Sequence, residues 1–149
     1  MTTVSIDDAE IQYAIEPDLT PAEFVDVLVR STLAPRRPIH AAEIIAGMLA
    51  HADIIVTARA ADGVLVGVAR SITDFTYCTY LADLGVDAAY QGRGIGRALI
   101  ARTHAAVPPT SSLILLAAPG ARTYYPHIGM EAHPSCWILP RRLPPAPDA

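Results

Sequence analysis

The sequence predicts a single α/β domain in which a mixed sheet carries helices on both faces. Three observations indicate this class. The chain has 149 residues, a length typical of one domain with a substantial core. Its composition is that of a globular protein, with 52% hydrophobic and 17% charged residues. Apolar patterns with strand and helix periods follow one another in the order β, α, α, β, β, β, α, β, α, β.

The N-terminal third predicts one strand followed by two helices. Residues 10–15 alternate between polar and apolar side chains, which is the pattern of a strand. Thr20 and Pro21 supply a helix N-cap and a proline in the first turn, and the following apolar residues recur at helical spacing until Pro35. A second amphipathic helix is predicted over residues 39–50.

The middle of the chain predicts three strands in succession. Residues 53–60 and 64–70 form two of them, joined at Asp62-Gly63, where glycine tolerates the positive φ of a tight hairpin turn. Thr73-Asp74 makes a second turn, and residues 77–86 form the third and longest strand.

The C-terminal part predicts a helix over residues 95–106, a short apolar strand at 113–116 covered on both faces, and a short helix from Pro119 to Tyr125. Residues 129–139 are expected to form a last strand, interrupted by Pro134, with Trp137 in the core or at a dimer contact. The domain is predicted to span residues 1–140, and the proline-rich tail, residues 141–149, is expected to be flexible.

Composition excludes several functions. The net charge is −4 and the arginines are dispersed, which disfavours a nucleic-acid binder. All 11 basic residues are arginine, so Schiff-base chemistry and a phosphate-loop lysine are excluded.

No apolar stretch is long enough to span a membrane, and the N-terminus lacks the features of a signal peptide, so a cytoplasmic location is expected. Cys78 and Cys136 are expected to be reduced, partly buried thiols. No metal site is predicted, because His127 and His133 lack a third ligand.

A glycine-rich loop is the most informative segment. The run Gln91-Gly-Arg-Gly-Ile-Gly96 falls where a strand has just ended and a helix begins. Glycine lets the backbone approach a bulky anion closely, and the first amides of a helix point outward with the positive end of its dipole. We therefore expect a pyrophosphate cradle, with a simple structural turn as the alternative. The spacing does not match the dinucleotide fingerprint, because the third glycine comes one position early.

Two motifs together resemble those of the Gcn5-related N-acetyltransferases (GNAT). Gln91-x-x-Gly94-x-Gly96 matches the family's Gln/Arg-x-x-Gly-x-Gly/Ala loop. The run Tyr124-Tyr-Pro-His-Ile-Gly-Met-Glu131 is similar to its Phe/Tyr-Tyr-x-x-x-Gly-Phe-Glu, with methionine in place of the usual phenylalanine. The resemblance covers roughly residues 53–139. It implies a mostly antiparallel central sheet of six to seven strands with helices on both faces, and acetyl-CoA as co-substrate.

The resemblance also implies where the co-substrate is held. The strand residues Leu84, Gly85 and Val86 would pair with the pantetheine arm, in a gap between this strand and the next. The pyrophosphate would rest on the backbone amides of seven residues: Gln91, Gly92, Arg93, Gly94, Ile95, Gly96 and Arg97. The strand would carry a bulge whose amide stabilises the oxyanion, and Val86 is the candidate.

Two further catalytic roles are expected, an acid and a base. Tyr125 is expected to protonate the CoA thiolate, with Tyr124 as the alternative in register and packing against the arm as the alternative role. Tyr80 stands where many relatives have a catalytic glutamate, so the base is expected to be the nearby Asp83. A structural pairing of Asp83 with Arg70 is the alternative.

The acceptor is expected to be a primary amine of a small molecule or peptide, and a homodimer is the family expectation. Arg36 and Arg37 lie in a loop that borders the acceptor site in relatives, where they would be solvated or would recognise an acidic group. Two other functions remain open: a non-catalytic acyl-CoA-binding module on the same scaffold, and a toxin-type enzyme acting on aminoacyl-tRNA, against which the negative charge argues.

Overall fold

A five-stranded sheet forms the centre of the computed structural model, which describes residues 10–147. The strands lie side by side in chain order. They are β1 (Gln12–Ile15), β2 (Ile54–Arg59), β3 (Leu65–Thr73), β4 (Cys78–Val86) and β5 (Ser112–Leu115). The first three pairings are antiparallel, and β4 pairs with β5 in parallel. The predicted class, a mixed and mostly antiparallel sheet, is therefore confirmed.

Helices cover both faces of this sheet, as predicted. They are α1 (Pro21–Arg30), α2 (Ala42–Ala50), α3 (Ile95–Ala105) and α4 (Tyr124–His127). Successive strand residues point to opposite faces. Ile55 and Val68 accordingly join a buried cluster with α1 and α2, whereas Val56 and Val66 join a second cluster with α3.

Local sequence signals explain the best predicted boundaries. The Thr20 hydroxyl accepts a hydrogen bond from the Glu23 amide at 3.3 Å, and Pro21 opens α1, so both parts of the predicted N-cap are present. Gly63 adopts a φ of 85° in the hairpin between β2 and β3. The second helix begins at Ala42, three residues later than predicted, because residues 38–41 form a turn after Pro38.

The predicted six to seven strands are wrong, since the described residues form five. The missing element is the strand expected over residues 129–139, a segment that has no regular secondary structure. Pro134 has no amide hydrogen to donate to a ladder, and Gly129 adopts a φ of 91°. The core position expected for Trp137 is also wrong, because its side chain is 91% exposed.

Two further expectations about burial, for β5 and for the cysteines, are wrong. The strand is present, but it is an edge strand rather than one covered on both faces, and Ile114 is 59% exposed. Both cysteines are free, as predicted, yet Cys78 and Cys136 are exposed rather than partly buried.

The described residues stop short of both chain ends. Residues 1–9, used in the expectation about a signal peptide, lie outside the described residues, as do residues 148–149. Residues 140–147 are exposed and irregular, and the Pro144 carbonyl lies 3.2 Å from His40 Nε2. None of the helices within residues 10–147 is long and apolar enough to cross a membrane.

Candidate functional site

Strands β4 and β5 pair over only four residues and then separate. The pairing runs from Cys78 opposite Ser112 to Leu81 opposite Leu115. Beyond Leu81, β4 continues to Val86 without a partner strand on its β5 side, while it stays paired with β3. The Asp87 amide donates to the Val66 carbonyl at 2.8 Å, so Asp87 faces β3. Backbone groups alternate in direction along an antiparallel strand, which turns those of Leu84 and Val86 toward the gap. This edge can pair with an extended ligand, and the pairing with a pantetheine arm stays a prediction.

A cavity of about 460 Å³ opens at this gap, a volume in the range of small-molecule sites. Four segments surround it: the second half of β4, the connection between α1 and α2, the start of the glycine loop, and residues 115–125. Its lining residues are Ser31, Thr32, Leu33, Arg36, Arg37, Leu81, Ala82, Leu84, Gly85, Val86, Gln91, Leu115, Leu116, Ala118, Pro119, Gly120, Ala121 and Tyr125.

The irregularity in β4 lies at Ala82. Arg70 pairs with Asp83 and Ser71 pairs with Leu81, so Ala82 is the extra residue of a bulge. The resemblance predicted a bulge in this strand, with its amide at Val86. Val86 instead pairs regularly with Gly67, which corrects the position of the bulge. A role for the Val86 amide therefore depends on its direction into the gap, and stays a prediction.

Two glycines of the loop adopt a left-handed backbone conformation. Gly92 and Gly94 both adopt a φ of 80°, a region that other residues enter at a cost of about 1–2 kcal/mol. Gly94 is the N-cap of α3, and the Ala98 amide is bonded to its carbonyl at 3.0 Å. A Cβ at Gly92 or Gly94 would meet no heavy atom within 4 Å, so the space beside the loop is open. This arrangement suits an anion.

Contacts from the end of β4 hold the loop in place. Gln91 Nε2 donates to the Val86 carbonyl at 3.1 Å. Asp87 forms an ion pair with Arg30 of α1 at 2.5 Å. The Arg93 guanidinium lies 5.0 Å above the ring of Tyr90, a cation–π contact. The loop is thereby anchored to both β4 and α1, and the expected contact of Arg93 with a phosphate stays a prediction.

The two tyrosines of α4 occupy different places. Tyr125 lines the cavity, and burial raises the pKa of its phenol. The Tyr124 hydroxyl lies 3.0 Å from the position that a Cβ would take at Gly96. Burial raises the pKa of the Tyr124 phenol above its usual value, and the Arg97 guanidinium and backbone amide offset only part of this rise. Gly96 thus lets Tyr124 approach the first turn of α3. Of these two tyrosines only Tyr125 lines the cavity, and its role as the acid stays a prediction.

Asp83 is held between two guanidinium groups. Its side chain is 1% exposed, and it accepts hydrogen bonds from Arg70 Nε at 2.5 Å and from Arg37 Nε. The alternative pairing with Arg70 is therefore confirmed. Asp83 is not among the described residues that line the cavity, although its neighbours Ala82 and Leu84 are. A base must reach the proton that it removes, so the base role, which stays a prediction, gains no support from this geometry.

The cavity brings together part of the predicted site and adds residues that the sequence did not indicate. The predicted residues that line the cavity are Leu84, Gly85, Val86, Gln91 and Tyr125, and the rest of the glycine loop continues from its rim. Tyr80 does not line it. Ser31 was missed: a Cβ at Gly85 would lie 2.8 Å from its hydroxyl, so the end of α1 packs directly on β4. No local signal marks such a contact, because the two residues are distant in sequence.

These features together suit an elongated ligand that carries phosphate at one end. The outward amides of α3 would hold the phosphate, the free edge of β4 would pair with an extended arm, and the cavity would receive the far end beside a phenol.

Structures from other organisms have the same fold. No curated protein matches the sequence. A protein from Deinococcus radiodurans R1 that is assigned as an acetyltransferase is similar with a TM-score of 0.70 and 22% identity, over 93% of both chains. The SA2161 protein from Meticillin-Resistant Staphylococcus aureus, also assigned as an acetyltransferase, gives 0.71 and 20% identity over 89% of this chain and 99% of that one. An aminoglycoside acetyltransferase from an uncultured soil metagenomic sample, in complex with sisomicin, is similar with a TM-score of 0.67 and 16% identity, over 92% of this chain and 99% of that one.

The family follows from the sequence itself. Residues 22–106, more than half of the chain, match the acetyltransferase (GNAT) family. This range includes three of the four segments that surround the cavity: the connection between α1 and α2, the second half of β4 and the start of the glycine loop. The chain belongs to the acetyltransferase (GNAT) family.

Proposed function

We propose that the protein is an N-acetyltransferase that moves an acetyl group from acetyl-CoA to a primary amine of a small molecule or peptide. One observation carries this proposal: the open glycine loop, the free edge of β4 and the phenol of Tyr125 adjoin a single cavity. Family membership implies acetyl-CoA as co-substrate.

The residues fit acetyl-CoA along its length. The amides of residues 91–97 would hold the pyrophosphate, for which Gly92 and Gly94 leave open space. Backbone groups of Leu84 and Val86 would pair with the pantetheine arm, with Gly85 between them. The thioester supplies an activated acetyl group at the end of that arm.

Transfer needs an unprotonated amine. An alkyl ammonium has a pKa near that of lysine, about 10.4, so deprotonation at pH 7 costs roughly 4–5 kcal/mol. The amine nitrogen then forms a bond to the carbonyl carbon in a ternary complex, and the bond from that carbon to sulfur breaks. The Val86 amide would stabilise the oxyanion, and the Tyr125 hydroxyl would give its proton to the departing sulfur.

The proton released by the amine needs an acceptor. Asp83 is the predicted base, yet both of its oxygens are bound by arginines. The described residues that line the cavity include no aspartate, glutamate or histidine. This observation favours one alternative, a non-catalytic module that binds acyl-CoA. In an enzyme, the same observation requires that ordered water carry the proton away from the cavity.

Two measurements on the purified protein test the proposal. Calorimetry should detect binding of CoA and acetyl-CoA. Thiol release should then be followed with acetyl-CoA and a panel of amines. Binding without any amine-dependent thiol release would support the non-catalytic alternative, and absence of binding would contradict both functions.

A further inference from the structure

Positive charge collects at the end of the cavity that is formed by the connection between α1 and α2. Arg36 and Arg37 belong to this connection and line the cavity, and its described lining residues include no carboxylate. The nearest buried carboxylate is Asp83, which is shared between Arg37 and Arg70. One negative charge between two guanidinium groups leaves a surplus positive charge, and Arg36 adds a second.

The two arginines differ in what they can still bind. Arg37 uses its guanidinium internally, on Asp83, on the Ala82 carbonyl at 3.0 Å and on the Arg36 carbonyl at 2.9 Å. Arg36 has a fixed backbone, because its carbonyl accepts from Arg37 and its amide donates to the Leu33 carbonyl at 3.0 Å. Its side chain is exposed and has no hydrogen bond or ion pair within residues 10–147. Arg36 therefore presents an uncommitted guanidinium on a fixed backbone.

Distance separates these arginines from the place proposed for the CoA phosphates. Arg37 contacts the Ala82 carbonyl, and the glycine loop begins only after Val86. Four strand residues at about 3.3 Å each place these points roughly 13 Å apart along β4. Arg37 thus lies near the part of the cavity that is left for the second substrate, and Arg36, its neighbour in the chain, lines the same cavity.

We propose that the amine acceptor carries an anionic group, such as the carboxylate of an amino acid or acidic peptide, and that Arg36 binds it. This inference rests on the proposed transferase activity. A guanidinium binds a carboxylate with two parallel hydrogen bonds, which orients the acceptor as well as attracting it. Amines with several positive charges would be repelled by the same end of the cavity.

Matched amine pairs test the inference. Glutamate is compared with glutamine, and tyrosine with tyrosine amide, with spermidine as a polycation. We expect kcat/KM to be about ten-fold or more higher for the anionic member of at least one pair, the size of a charge-assisted hydrogen bond. Amidation of the carboxyl group lowers the pKa of the neighbouring amine and leaves more of it unprotonated. A preference for tyrosine therefore cannot arise from amine reactivity.

Arg36→Gln should remove this preference by raising KM for the anionic acceptor, with kcat and CoA binding unchanged. Arg36→Lys should recover part of it. Arg141→Gln, in the exposed C-terminal segment, is the matched control and should behave as wild type. The inference is overturned if neutral or polycationic amines are the better acceptors, or if Arg36→Gln affects both members of a pair equally; in either case the transferase proposal stands. If no amine accepts the acetyl group, both fail.

Discussion

Replacement of Asp83 by asparagine separates a structural role from a catalytic one. The side chain is 1% exposed, and each of its oxygens accepts a hydrogen bond from a different arginine. Asparagine keeps one acceptor, but its amide group would direct a donor at the other guanidinium. One buried cation would lose its partner, because Arg70 is itself only 8% exposed.

The magnitude follows from that burial. Removal of one partner of a buried ion pair typically costs about 3–5 kcal/mol. A domain of this size loses roughly 2–4 °C in Tm per kcal/mol, so Asp83→Asn should lower Tm by about 6–20 °C. Urea denaturation followed by circular dichroism would give the free energy of unfolding, and a thermal scan would give Tm.

Asp62→Asn provides the control for the same chemical change at an exposed position. The Asp62 carboxylate accepts one hydrogen bond, from the Val64 amide at 3.0 Å, which the asparagine oxygen would keep. Its effect should stay within about 0.5 kcal/mol. If Asp83→Asn were no more destabilising than Asp62→Asn, the interpretation of Asp83 as the centre of a buried ion-pair group would be wrong.

The pH dependence of turnover in the same variant decides the catalytic question. A positioning role predicts an altered KM for the amine, since Arg37 would shift, but an unchanged pH profile of kcat. A base role predicts that the acidic limb of this profile disappears. An unchanged profile would exclude Asp83 as the base.

Three further predictions concern the tyrosines of α4, the contact between Gly85 and Ser31, and the turn at Asp74. Tyr125→Phe should lower kcat by about ten-fold or more at unchanged affinity for acetyl-CoA, whereas a larger effect of Tyr124→Phe in parallel assays would show that the other tyrosine is the acid. Gly85→Ala should lower the free energy of unfolding, measured in urea, by about 1–3 kcal/mol, because the new methyl group would lie 2.8 Å from the Ser31 hydroxyl. Ser31→Ala should recover part of this loss, and additive effects of the two changes would contradict the explanation. NMR titration of Asp74 should give a pKa of about 2, because the amides of the following turn, that of Tyr77 foremost, bind its carboxylate. This pKa lies below the ordinary 3.8, so the stabilisation is present above that value and lost as the pH falls toward 2, and a measured pKa near 3.8 would refute it.

Local chemistry made much of the fold predictable. The N-cap at Thr20, the hairpin glycine Gly63 and the loop glycines Gly92 and Gly94 all stand where the backbone requires their residue type. The two-residue and 3.6-residue periods located the strands and helices, and the resemblance to a family supplied the antiparallel arrangement of the sheet.

The errors have a common physical origin in long-range packing. Residues 135–139 contain Trp137, Ile138 and Leu139, which would suit a strand, yet no neighbour pairs with them within the described residues and they are exposed. The apolar sequence of β5 likewise predicted burial, although the strand lies at an edge. A strand forms only where a partner supplies hydrogen bonds, and the sequence of the strand does not identify that partner.

The backbone and the side chains of β4 have different roles, and this difference explains why the sequence indicates the co-substrate better than the acceptor. Backbone groups of a strand lie in the plane of the sheet, whereas its side chains project above and below it. Leu84 and Val86 can therefore offer backbone groups to an extended ligand such as the pantetheine arm that we propose, while the side chain of Asp83 on the same strand binds Arg37 and Arg70. Backbone recognition of this kind uses glycines, which a motif can capture. The recognition that we propose for the acceptor depends instead on the side chain of Arg36, which lines the cavity but belongs to neither family motif.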